Sequence, residues 1–91
     1  MEDLKRRYRA AMANRIDALE SAGVALLKGE PGTADTIRQI AHQLKGSGSA
    51  YGYPEITAAA EVLQNAQEKE IPARLDALLV ILRKVAFEAV D

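Results

Sequence analysis

At 91 residues the chain has room for one domain and one core, but not for a core plus a deep, closed active site. Its 12 basic and 13 acidic residues nearly cancel, so the charge balance predicts no affinity for nucleic acid or an acidic membrane surface. Cysteine is absent, which excludes a disulfide framework and a thiolate metal site, and a composition 48 % hydrophobic but 4 % aromatic favours helices over sheets.

Four helical segments are predicted. The first covers residues 3–28, where Leu4, Tyr8, Met12, Ile16, Leu19, Gly23 and Leu26 recur every three or four positions as one buried stripe. Gly29-Glu30-Pro31-Gly32 ends it. The second opens with Thr33 as N-cap and Asp35 in its first turn, and carries Ile37, Ile40, Ala41, Leu44, Gly48 and Tyr51 inward. Gly46, Gly48 and Gly52 weaken its carboxyl end. Pro54 reads as the first residue of the third helix, with Ile56, Ala59, Ala60, Leu63 and Ala66 as its stripe. Pro72 opens the fourth, whose Leu75, Leu78, Leu79, Leu82, Val85, Ala86 and Ala89 face inward. Short connections make successive helices antiparallel, so residues 1–91 are expected to form one all-α domain, an antiparallel up-down four-helix bundle.

The longest strongly apolar run, residues 77–82, is far below the roughly 20 residues of a membrane span. The charged start from Glu2 onward lacks a secretory signal's apolar stretch. A monomer in the cytoplasm, off the membrane, is expected, and Met1 directly before the first helix favours a free-standing protein.

The only histidine is His42. With Ile37 as origin and about 100° per residue, Ile40, Ala41, Leu44 and Gly48 stay within about 60° of the core direction, whereas His42 lies about 140° away. It should therefore face solvent, with Arg38, Lys45 and Ser49 on the same flank. An exposed imidazole is a candidate nucleophile. Lys45, one turn on, would stabilise an arriving phosphate. Gly46 costs a helix about 1 kcal/mol relative to alanine, and its missing side chain leaves a partner room to approach in line.

These residues resemble the signature of histidine-containing phosphotransfer (HPt) domains of phosphorelays. His42, Leu44, Lys45, Gly46, Ser47, Gly48 and Gly52 match its run of phosphoacceptor His, apolar +2, Lys +3, Gly +4, small residues at +5 and +6, and Gly +10. The resemblance covers essentially the whole chain and implies a four-helix bundle. It implies His42 as phosphoacceptor, Lys45 as phosphate-neutralising partner and Gly46 as access residue. Gln64 falls where some members carry a glutamine that hydrogen-bonds the imidazole. Tyr51 departs from the usual aliphatic residue or phenylalanine, and Gly48 from the more frequent Ser or Ala; both could loosen the end of the second helix. Response-regulator receiver domains are the implied partners, supplying the metal and acidic pocket, with a hybrid sensor histidine kinase a further candidate. No cofactor is expected in this chain. It has no nucleotide-binding glycine loop, so it is expected to be a phosphoryl carrier and not an enzyme.

Competing readings stay open. A non-phosphorylated helical adaptor that binds receivers is the main alternative. Ser47 and Ser49 have no second histidine or thiol for a base relay, so a helix contact or a local cap suits them better. One histidine with scattered carboxylates offers no metal-ligand set. Lys5-Arg6-Arg7-Arg9 reads as a solvated helix face in preference to a nucleic-acid patch. Val80 and Phe87, off the main stripe of the fourth helix, form either an exposed patch for a partner or second copy, or a surface covered by the start of the first helix.

Overall fold

A segment without proline before Pro31 carries α1 (Glu2–Leu27), which buries Tyr8, Met12, Ile16, Leu19 and Ala22 on one side. The computed structural model describes residues 2–87, so the expectations attached to Met1 and Ala89 lie outside the described residues. Leu4 departs from the expected stripe: in the first turn of α1 it is 46 % exposed.

Gly32 adopts a left-handed backbone (φ 81°), open to glycine without strain, and takes the N-cap position of α2 (Thr33–Gly48). Thr33, expected as the cap, is instead the first helical residue. Its hydroxyl donates to the Glu30 carbonyl at 2.8 Å and its side chain is buried. A single 3-10 turn, Ser49–Tyr51, follows α2, and Gly52 at φ 92° reverses the chain so that Tyr53 N–H reaches the Gly48 carbonyl at 2.8 Å. Pro54 then opens α3 (Pro54–Gln64), as expected. Ala66, placed on the third stripe, is buried just beyond the helix end. A second 3-10 turn, Glu68–Glu70, is closed by a reciprocal Gln67–Glu70 capping box and leads into α4 (Ile71–Ala86), one residue ahead of Pro72.

The four α-helices, with no strand among the described residues, form the antiparallel up-down bundle. Each packs on its sequence neighbours and α1 closes the ring on α4; α2 with α3 is the most extensive pairing. Met12 and Leu19 meet Ile37 and Leu44, Ile56 and Leu63, and Ile71, Leu78 and Leu82 in a core where each side chain is under 2 % exposed. Burial of side chains this size stabilises the fold by roughly 1.5–3 kcal/mol apiece before chain entropy is subtracted.

Three tyrosines knit α1 to the α2–α3 turn. Tyr8 stacks on Tyr51 with ring centroids 4.6 Å apart and on Tyr53 at 5.9 Å. The Tyr8 and Ser47 hydroxyls are hydrogen-bonded at 2.8 Å. Burial raises the Tyr8 phenol above the ordinary tyrosine value, against the opposing pull of the Ser47 bond, so the ring stays neutral. This cluster corrects the expectation for the basic run. Arg6 and Arg7 are exposed, but Lys5 lies over the Tyr53 ring at 4.8 Å, and Arg9 is buried with Nη1 donating to the Tyr53 hydroxyl at 3.2 Å. Tyr51, placed on the inward stripe of the second helix, lies instead in the 3-10 turn after it, 38 % exposed and stacked on Tyr8.

Candidate functional site

Because Ile37, Ala41, Leu44 and Gly48 face the core, α2 must turn its other flank outward, and His42 is exposed there as expected. Gln64, the last residue of α3, reaches across the seam: its side-chain amide lies 3.0 Å from His42 Nδ1. The other end of that amide, Oε1, is buried and has no hydrogen-bond partner among the described residues. Antiparallel helices pair a forward step on one with a backward step on the other. Three residues after His42, Lys45 therefore meets Glu61, three before Gln64, with Nζ and Oε2 3.6 Å apart.

The seam is tightest at its next rung. A Cβ on Gly48 would sit 2.7 Å from Thr57 Oγ1, 2.8 Å from Thr57 N and 3.0 Å from Tyr53 O, so only hydrogen fits. Thr57 uses this closeness: its hydroxyl donates to the Lys45 carbonyl at 2.9 Å and accepts from Ser49 N–H at 2.8 Å. Gly48 thus binds the end of α2 to α3, against the expectation that it loosens it. Replacing Thr57 by valine keeps the shape but removes both bonds, and is expected to cost about 1–2 kcal/mol in chemical denaturation. An equal loss from Thr36→Val, whose hydroxyl bonds the carbonyl of the N-cap residue Gly32, would show the seam bonds to be unimportant.

Gly46 is the opposite case. A Cβ there meets nothing within 4 Å, and its φ is not positive. Neither packing nor backbone conformation within the chain requires glycine at this position.

Of the other polar groups on this flank, Arg38 donates through Nη2 to the Ala66 carbonyl at 2.8 Å, tying the loop after α3. Arg15 on α1 donates to Gln43 Oε1 at 2.9 Å, fixing the residue next to His42. The structure thus joins His42 with Gln64, sets Lys45 one turn away on Glu61, and leaves Gly46 open. Glu61 and Thr57 escape the sequence reading. Once Gln64 is paired with His42, however, counting three residues along each helix finds Glu61.

Val80 and Phe87 are 62 % and 83 % exposed, so α1 does not cover them. Phe87 borders a groove with Ala10, Ala13 and Ile16 of α1, remote in sequence from His42. No described helix is long and apolar enough to cross a membrane.

A family model described as Hpt domain matches residues 3–88 of the chain. No curated protein and no solved structure shows significant similarity to it.

Proposed function

Since the chain belongs to the Hpt domain family, which acts in phosphotransfer of two-component signalling, we propose that residues 1–91 form one phosphoryl carrier that accepts the group on His42 from a receiver-domain aspartate and passes it to another receiver. The observation that carries this reading is the exposed imidazole held at Nδ1 by Gln64 beside the open space at Gly46.

Holding Nδ1 leaves Nε2 as the attacking nitrogen. The amide of Gln64 can meet Nδ1 with either end. When its nitrogen donates, the ring hydrogen resides on Nε2 and that lone pair is lost. When Oε1 accepts from Nδ1–H, the Nε2 lone pair is free. In the second arrangement Nε2 attacks phosphorus, the P–O bond to the aspartate breaks, and the carboxylate leaves with the electron pair. The new P–N bond forms while the hydrogen stays at Nδ1 on Gln64. Lys45 supplies positive charge one turn away, and in-line approach and charge neutralisation are most of what this transfer needs. Onward transfer is the same step reversed against a second receiver. The carrier works as a monomer in the cytoplasm and uses no nucleotide of its own.

Incubation with a radiolabelled phosphoreceiver tests the reading. The chain is expected to acquire acid-labile, base-stable label, and His42→Gln to acquire none while keeping its helicity by circular dichroism. Label persisting in that variant would move the acceptor elsewhere. Receiver binding without any label would leave the adaptor reading in its place.

A further inference from the structure

Lys45 is not a waiting cation in the resting chain: its ammonium is already partnered by Glu61. Both side chains are substantially exposed, 39 % and 53 %, so the pair is worth at most about 1 kcal/mol and can exchange partners readily. Glu61 is also fixed in place by its helix. It lies one turn before Gln64 on α3, as Lys45 lies one turn after His42 on α2, so the two cross-helix contacts are adjacent rungs of one seam. A phosphoryl group on His42 arrives with oxygens that attract the same ammonium, so it competes with the Glu61 carboxylate for Lys45.

We propose that Glu61 is a positioning residue that holds Lys45 in the resting state and competes with the phosphoryl group for it, biasing the phosphorylated carrier toward handing the group on. The inference rests on His42 as phosphoacceptor. Glu61 touches neither the group nor the imidazole; it acts by setting how much of the Lys45 charge the phosphate receives. A carrier that held its group too firmly would be a sink, and a carboxylate at this rung counters that.

The test is a four-way comparison of the unsubstituted chain, Glu61→Gln, Lys45→Met and the double variant, each incubated with a radiolabelled phosphoreceiver. Glu61→Gln should shift the equilibrium partition of label toward the chain by about two- to fivefold and slow onward transfer to a second receiver by a similar factor. The KM for the receiver should stay within about twofold. In the Lys45→Met background, the same change at Glu61 should have no effect on partition. Partition unchanged by Glu61→Gln, an equal shift without Lys45, or a change confined to KM would each overturn the inference; the last two would make Glu61 a docking contact. Absence of label on the unsubstituted chain would remove the phosphoacceptor reading and this inference together, whereas a labelled chain indifferent to Glu61→Gln removes this one alone.

Discussion

Gly46→Gln is expected to slow phosphoryl transfer to His42 by about a hundredfold or more while making the chain slightly more stable. The two effects separate because no neighbour in the isolated chain touches that position. Side chains on a helix lean toward its amino terminus, so a long residue four positions after His42 lies over the imidazole and blocks the line along which phosphorus must come. Displacing reactants by about 1 Å is enough for a hundredfold loss. Removing a helical glycine, meanwhile, gains up to about 1 kcal/mol, or a rise in Tm of roughly 4–8 °C for a domain of this size. Gly46→Ala should show the same stabilisation with most of the transfer rate kept, since a lone methyl reaches nothing. Stopped-flow transfer and thermal melts read both quantities. An unimpaired rate in Gly46→Gln would eliminate the access role.

Two residues along the same helix the expectation reverses. Gly48→Ala should lower the unfolding free energy by about 2 kcal/mol, with a fall in Tm of roughly 10 °C, despite alanine's better helix propensity. The added methyl would press on Thr57 N and Tyr53 O, both backbone atoms, and on the Thr57 hydroxyl that already serves two bonds. Relief requires α2 and α3 to part at their closest point. Calorimetry compares the two alanine variants directly. A Tm for Gly48→Ala at or above that of the unsubstituted chain would show that the seam yields easily. Below its midpoint this variant should still transfer, because His42 lies nearly two turns away.

The contrast between these glycines marks what could be seen before the structure. The apolar rhythm of α2 was legible, and with it the outward bearing of His42, because a helix imposes its own period on whatever it packs against. Resemblance to HPt domains added Gln64, which no local pattern singles out from ordinary flanking polar residues. Helical phase already set Gly48 inward and left Gly46 open, but the close approach of Thr57 and Tyr53 that excludes a side chain at Gly48 was not legible. Likewise Lys5 and Arg9 read as surface charge until Tyr53, more than forty residues later, takes both of them inward. Glu61 needed the register between α2 and α3. Helix boundaries erred by a residue where a left-handed glycine or a 3-10 turn took over the end, at Gly32 and before Ile71.

If His42 carries the phosphoryl group as proposed, the hold of Gln64 on Nδ1 orders the traffic through it. A ring with one nitrogen occupied can be addressed at one atom, and one atom can face one phosphorus at a time. Under the proposed function, donor and acceptor would visit in alternation, with ping-pong kinetics, and a loaded carrier would part from the first before it meets the second. On that reading the phosphohistidine must survive unaccompanied between the two visits.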